Sequence, residues 1–285
     1  MNVLPDSKRA AILKALTEGC SVRATARMVG VSKTTILKLL VEAGQFCALY
    51  HDKVVRGLAC TRVEADEIWA FVGSKQRNAH KPGQGDIWTF TALCADSKLI
   101  VSWYVGHRVY QHATAFMDDV RSRLTNRVQL TTDGHHMYLT AVESAFGYGG
   151  VDYAMLVKKY GLDPAEDRRK YSPAVCVGTM KEHIMGKPDM EQVSTSYVER
   201  QNLTIRLNNR RHTRLTNAFS RKVENHEHAM ALHFFVYNFC RSHTTLTKAR
   251  GGIHTTPAMA AGLTDHVWSL AELVALLAAQ TDRAA

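Results

Sequence analysis

The sequence predicts an α/β protein, in which a mixed sheet with flanking helices follows a small all-α unit. Apolar residues recur at helical spacing up to about residue 45, and the pattern becomes strand-like from about residue 61. Short β-prone stretches then alternate with amphipathic ones as far as about residue 157. A segment that is apolar on nearly all faces, 229–240, predicts a buried helix against the sheet.

The composition is that of an ordinary globular chain and excludes disordered and coiled-coil proteins. Its 285 residues, 46% hydrophobic and 22% charged, suffice for about two domains. No apolar run approaches the ~20 residues of a membrane helix, and the first residues lack the apolar stretch of a secretion signal. We therefore expect a cytoplasmic protein without a membrane partner, whose six scattered cysteines are reduced.

Positive charge is concentrated in two parts of the chain, whose formal net charge is +10. Residues 200–250 contain ten lysines and arginines against two glutamates, and residues 1–43 contain seven against three acids. Because basic surfaces bind polyanions by releasing counterions, we expect a nucleic acid as partner. A soluble basic protein whose charges are only solvated is the alternative.

Residues 1–45 are predicted to form three short helices. Gly19 ends the first helix, Ser21 caps the second, and Gly30 forms the turn before a third. Two helices joined by a short glycine-containing turn are typical of the helix-turn-helix motif, whose second helix enters the major groove of DNA. A three-helix bundle that binds a protein, or nothing, is the alternative. The candidate DNA contacts on the third helix are Ser32, Lys33, Thr34, Thr35 and Lys38.

A second domain is predicted over residues 61–262, after a linker at 46–60 and before a C-terminal helix or tail at 263–285. Its predicted elements are strands at 63–72, 87–95 and 99–105, a helix at 112–124, a strand at 128–132, a helix at 137–146 and a strand at 153–157. This is the element order of the ribonuclease-H-like fold. The stretch 161–192, rich in proline, glycine and charge, is expected to be a loop excursion.

Two aspartates interrupt the predicted strands. Asp66 lies midway along the first strand, and Asp133 lies where the fourth ends. These strands are neighbours in this topology, so their carboxylates converge and either take up a proton or bind a divalent cation. All-oxygen ligands suit Mg²⁺ or Mn²⁺ rather than zinc. The alternatives are a surface or salt-bridged Asp66 and an Asp133-Gly134 pair that only ends a strand.

A third acid, Glu199, opens a basic helix. At helical spacing it shares a face with Asn202 and Arg206. This composition suits a metal-bound phosphate, with Glu199 on the cation and the other two side chains on phosphate oxygens. A plain salt bridge from Glu199 to Arg206 is the alternative. The candidate DNA contacts in this part of the chain are Arg200, Asn202, Arg206, Arg210, Arg211 and Arg214.

The most distinctive motifs are A-D-E-I-W-A-F-V-G-S-K (65–75), T-T-D-G (131–134), Y-V-E-R-Q-N (197–202), Y-N-F-C-R-S-H-T-T-L (237–246) and T-P-A-M-A-A-G (256–262). Together they resemble the DDE transposases of bacterial insertion sequences, specifically the insertion-element-one group. The resemblance implies a catalytic triad of Asp66, Asp133 and Glu199. The 66-residue interval from Asp133 to Glu199 is longer than in many such enzymes; Glu166 and Asp167 lie nearer the shorter spacing, in a charged loop.

The function expected from this resemblance is DNA transposition. We hypothesise that the triad holds two Mg²⁺ (or Mn²⁺) ions, which serve both the cutting and the joining of DNA. The expected partners are element ends and target DNA, bound by a homodimer or larger oligomer associated with the bacterial nucleoid. The alternatives are a ribonuclease-H-like nuclease or resolvase that cuts without joining, and a non-catalytic helix-turn-helix regulator.

Overall fold

A computed structural model describes residues 4–161, 175–214 and 216–284. The helices are α1 Asp6–Thr17, α2 Val22–Val29, α3 Lys33–Val54, α4 Tyr110–Arg123, α5 Met137–Phe146, α6 Ser196–Asn208, α7 Val223–Phe235, α8 Thr244–Ala249, α9 Pro257–Ala260 and α10 Leu270–Ala284. The strands are β1 Arg62–Val72, β2 Gly85–Cys94, β3 Ile100–Gly106, β4 Gln129–Asp133, β5 Asp152–Gly161 and β6 Val175–Met185. None of the described helices has the length and apolar character needed to cross a membrane.

The three predicted N-terminal helices are present, and serine caps explain where α2 and α3 begin. The Ser21 and Ser32 hydroxyls accept hydrogen bonds from the backbone N–H groups of Ala24 and Thr35, at 3.1 Å in each case. Gly30, between α2 and α3, has a φ of 70°, a left-handed conformation that glycine adopts without a Cβ penalty. The three predicted helices and the turn at Gly30 are therefore present, while the helix-turn-helix assignment and the reading of DNA by α3 stay predictions.

The strands form one mixed sheet in the order β3-β2-β1-β4-β5-β6. The pairs β1–β2, β2–β3 and β5–β6 are antiparallel, whereas β4 is parallel to both β1 and β5. The predicted mixed sheet with flanking helices is confirmed. In the parallel pairing of β1 with β4, Ala65 lies opposite Thr132. The next residue of each strand is an aspartate, so the register itself brings Asp66 and Asp133 side by side.

Alternation along the strands sends side chains into two layers. Ala65 and Phe90 face the layer that contains Phe116 of α4. Ile68 faces the opposite layer, where it clusters with Ile205 of α6 and with Met230 and Phe234 of α7. Helix α6 is thus seated directly on β1, the strand that carries Asp66.

The loop predicted over 161–192 is wrong for a large part of that range. Val175–Met185 is strand β6, which pairs antiparallel with β5. Because β6 is an edge strand with mostly exposed side chains, its sequence carries no alternation of buried apolar residues. Glu166 and Asp167 lie outside the described residues.

Residues 46–60, predicted as a linker helix or connection, are helical as far as Val54 but are not a separate segment. Helix α3 continues unbroken to Val54, so the predicted boundary at residue 45 falls inside a helix. Phe46 and Leu58 are buried in the core, and the Phe46 and Tyr50 rings contact Phe235 of α7. The N-terminal helices and the sheet therefore share one hydrophobic core.

The N-terminal helices pack closely against the rest of the chain at two glycines and are hydrogen-bonded to it by an arginine. A Cβ at Gly44 would lie 2.4 Å from the Cβ and 2.6 Å from the Cα of His228 in α7. At Gly19, which has a φ of 78°, a Cβ would lie 2.5 Å from the carbonyl oxygen of Leu207. Arg241 donates hydrogen bonds to the carbonyl of Thr17 at 2.7 Å and to the carboxylate of Glu18 at 2.8 Å.

We predict that Gly44→Ala lowers the free energy of unfolding by about 1–3 kcal/mol, since the methyl group forces α3 away from the α7 backbone. This loss outweighs the ~1 kcal/mol by which alanine favours a helix over glycine. Urea unfolding measures the difference. The control is Gln45→Ala, an exposed neighbour on the same helix, which should change stability by less than about 0.5 kcal/mol. A Gly44→Ala variant as stable as the wild type contradicts the close contact.

Candidate active site

Three carboxylates converge at the end of β4. Asp66, Glu67 and Asp133 each offer one oxygen atom, and these three atoms lie within 4.8 Å of one another. The predicted approach of Asp66 to Asp133 is present in the structure. Glu67 is an addition, because strict alternation along a strand would place it on the opposite face from Asp66. The signal for it in the sequence was two consecutive acids within an apolar strand.

A cavity of about 310 Å³ lies beside Asp66 and Asp133. Asp66, Asp133 and Glu199, the three residues of the predicted triad, all line it. The positively charged side chains of Arg108 and Lys158 line it too. The structure therefore brings the two strand aspartates and the helix glutamate to one cavity. Two positively charged side chains, Arg108 and Lys158, lie there as well, and the sequence did not indicate them.

Glu199 is bonded within the site. Its Oε1 accepts a hydrogen bond from the Thr195 hydroxyl and forms an ion pair with the ammonium group of Lys158. Burial by itself lowers the pKa of Lys158, but the bond to Glu199 outweighs it and leaves that pKa raised. The partner of Glu199 is thus Lys158 on β5, and the alternative salt bridge to Arg206 is not formed.

The Asp66 carboxylate is held by two donors. It accepts hydrogen bonds from the backbone N–H of Glu67 and from the side-chain amide of Asn202, both at 2.8 Å. Asn202 is only 6% exposed. This corrects its assignment as a DNA contact, because a buried amide bonded to Asp66 is placed to orient that carboxylate.

Glu67 is enclosed more completely than the other acids. Its side chain is 2% exposed, the Tyr138 hydroxyl donates a hydrogen bond to it at 2.8 Å, and Arg108 forms an ion pair with it. The same guanidinium lies 3.7 Å from Asp133. Burial and then the charge of Asp133 raise the pKa of Glu67. Arg108 therefore compensates two carboxylates at once.

The cluster has more negative charge than its neighbours neutralise. Burial, followed by the nearby carboxylates of Glu67 and Asp133, raises the pKa of Asp66 to about 7. Near neutral pH this site therefore takes up either a proton or a cation. Carboxylate oxygens are the ligands that Mg²⁺ and Mn²⁺ prefer, so the donor set fits the predicted metals.

Helix α6 is anchored on β1 by a further acid that the sequence did not reveal. The carboxylate of Glu64, which is 4% exposed, accepts hydrogen bonds from the backbone N–H groups of Tyr197 and Val198 at 2.8 and 3.0 Å. These are donors of the first helical turn, which have no partner within the helix. Glu64 thereby fixes the start of the helix that carries Glu199.

The other candidate DNA contacts lie mostly at the surface. Ser32, Lys33, Thr34 and Lys38 are exposed at the start of α3. Thr35 is half-buried, and its hydroxyl bonds to that of Ser32. In the second basic part of the chain, Arg200 and Arg214 are exposed, whereas Arg206, Arg210 and Arg211 are half-buried.

No family model and no curated protein sequence matches this chain. Among solved structures it is similar to three complexes of the Mos1 transposase, each over 54% of its length. Identity and TM-score are 13% and 0.24 for the strand transfer complex, 12% and 0.22 for the paired-end complex with left transposon end, and 10% and 0.21 for the pre-cleavage transpososome. The chain spans 59% of the first of these chains and 60% of the other two. TM-scores this low do not establish a shared fold.

We predict that Asp66→Asn stabilises the metal-free protein at pH 8 by about 1–3 kcal/mol. The pKa of Asp66 in the folded state, about 7, lies above its ordinary value of 3.8, so folding favours the protonated form. The stability that this group contributes is present at low pH and is lost as the pH rises from about 4 to about 7. The asparagine side chain of the variant does not ionise, so its stability does not fall in this way as the pH rises.

Urea unfolding of both proteins in EDTA, at pH 5 and at pH 8, measures the effect. The gain should be large at pH 8 and much smaller at pH 5. The exposed Asp118, converted to asparagine, is the matched control and should change stability little at either pH. An Asp66→Asn variant that is less stable than wild type at pH 8 contradicts the prediction.

Proposed function

We propose that this chain is a DDE transposase, built on a ribonuclease-H-like sheet, that cuts and joins DNA at the ends of a mobile element. The observation that carries the proposal is the meeting of Asp66, Asp133 and Glu199 at one cavity. Carboxylates placed together out of water repel each other, and this cost is offset when a cation binds between them. A basic chain that concentrates acids at one point suits a reaction on a polyanion. The motif resemblance to the insertion-element-one group supports the same function.

The triad is proposed to hold two Mg²⁺ or Mn²⁺ ions. When bound, such ions activate a water or a DNA 3′-hydroxyl and stabilise the leaving oxygen of the phosphoryl transfer. The remaining groups keep the ligands in place. The amide of Asn202 and the N–H of Glu67 orient Asp66. Glu64 orients α6, and with it Glu199.

Lys158 is proposed to exchange partners during the reaction. Its ammonium group is paired with Glu199 in this structure. If Glu199 served as a ligand to a cation, Lys158 would remain at the wall of the cavity without its carboxylate partner. A phosphate oxygen of the DNA is then a fitting acceptor for it, through a charge-assisted hydrogen bond.

The proposed partners follow from the charge distribution. The helix-turn-helix unit is proposed to bind the element ends through the exposed start of α3. The side chains proposed to bind the DNA backbone are Arg200, Arg206, Arg210, Arg211 and Arg214. Because an element has two ends, a homodimer or larger oligomer is proposed, associated with the bacterial nucleoid.

We predict that Asp133→Ala abolishes DNA cleavage while duplex binding stays within about threefold of wild type, since the carboxylate serves the chemistry and not DNA affinity. Cleavage of a supercoiled plasmid carrying the element ends, with Mg²⁺ and with EDTA, provides the readout; EDTA should abolish cleavage by the wild type. The control, Asp118→Ala, removes an exposed carboxylate away from the cavity and should cleave normally. Cleavage retained by Asp133→Ala would defeat the assignment.

A strand-transfer assay separates a transposase from a nuclease or resolvase. We predict that the wild type joins a pre-cut element end, bearing a free 3′-hydroxyl, to a target plasmid in Mg²⁺, because one site serves both steps. Asp133→Ala and Glu199→Gln should both fail. Metal-dependent cutting without joined product would assign the nuclease alternative, and metal-independent binding alone would assign the regulator.

A further inference from the structure

A second and larger groove lies between the N-terminal helices and the chain that follows α6. Its volume is about 1040 Å³. Arg23 of α2 and Lys33 of α3 form one wall, and Arg210, Arg211 and Arg221 form the other. The groove thus brings together the two basic parts of the sequence, which lie almost two hundred residues apart.

The groove carries uncompensated positive charge. None of the described residues that line it is an aspartate or a glutamate. Within the described part of the chain, its five cationic side chains form no ion pair with a carboxylate. The other polar groups at its wall, such as the Thr34 hydroxyl and the Asn217 amide, are neutral groups that hydrogen-bond phosphate and sugar oxygens.

Arg211 shows this imbalance most clearly. Its Nε donates a hydrogen bond to the Ser220 hydroxyl at 2.7 Å, a neutral partner. Burial lowers the pKa of Arg211 to about 10, so it is still charged at neutral pH. A half-buried guanidinium without a carboxylate partner is less well solvated than an exposed one, and a bound anion relieves that cost. A phosphate group supplies such an anion in the geometry that a guanidinium prefers.

The groove is also tied to the acidic cavity by β1. Ser220, at its wall, forms a bridge with Val72 at the end of β1, and its carbonyl accepts the N–H of Gly73 at 2.8 Å. Val72 follows Asp66 by six positions along the strand, roughly 20 Å at ~3.3 Å per residue. That is about six base pairs of duplex at ~3.4 Å each. One DNA molecule can therefore reach both places.

We infer that this groove holds the phosphate backbone of the same DNA duplex whose scissile bond lies at the acidic cavity. The inference rests on the proposed function and adds Arg23 and Arg221 to the DNA contacts. A duplex fits better than a single strand, because single-strand sites present aromatic side chains on which bases stack. The aromatic residue of this groove, Phe219, is half-buried and packs against Phe71 with ring centroids 4.9 Å apart.

The test is the binding of a short DNA duplex of arbitrary sequence to the full chain in EDTA, followed by fluorescence anisotropy at several salt concentrations. Arg23→Ala and Arg221→Ala should each weaken binding roughly 3–10-fold and lower the slope of log affinity against log salt by about 1. Arg250→Ala, an exposed arginine outside the groove, is the matched control and should leave both quantities unchanged. Both test residues are exposed, so the variants should keep the wild-type melting temperature.

Wild-type affinity and salt slope in both variants would overturn the inference. So would tighter binding of single-stranded DNA or of RNA of the same length. The outcomes are separable from those of the proposed function. If the wild type never cuts DNA but the Arg23 and Arg221 variants lose duplex affinity, the groove inference is supported and the proposed function is contradicted. If the wild type cuts DNA but both variants bind it normally, the proposed function is supported and the groove inference is contradicted.

Discussion

Repulsion among carboxylates withdrawn from water is the constraint on which the site depends. Asp66, Glu67 and Asp133 lie close together because a parallel strand pair places them there, and their charges oppose that arrangement. The surrounding groups partly offset the repulsion: Arg108 pairs with Glu67, and buried amide donors hold Asp66. What remains uncompensated is the property that lets such a cluster bind a divalent cation.

The opposite imbalance occurs at the groove between the two basic parts of the chain. There, guanidinium and ammonium groups line the walls and none of the described lining residues is acidic, a composition that favours anions. Under the proposed function, the acidic cavity would hold cations and the basic groove would hold phosphates of the same DNA molecule, and strand β1 connects the two places. Both proposed binding sites thus rest on charge that the described residues leave unpaired.

The sequence was sufficient for features that depend on local pattern. Helix caps such as Ser21 and Ser32, strands β1 to β5, and the approach of Asp66 to Asp133 all follow from periodicity and register. Features that depend on distant packing were not predictable. Strand β6 is an exposed edge strand whose sequence shows no alternation of apolar residues. Helix α3 continues past residue 45, and it packs there against α7, whose residues are too distant in sequence to leave a local signal. Arg108 and Lys158 are distant in sequence from the acids that they contact, so only the folded structure shows these pairs.

The contact between Gly44 and His228 also limits how such a protein can be rearranged in evolution or by design. Many DNA-binding modules are connected by tethers and can be exchanged between proteins. Here the first helices contribute to the core that supports the sheet, so a chimera carrying a foreign headpiece would lose part of that core. If α3 reads DNA as proposed, a new sequence preference would therefore come from point changes on the exposed surface of α3, with the core beneath it kept intact.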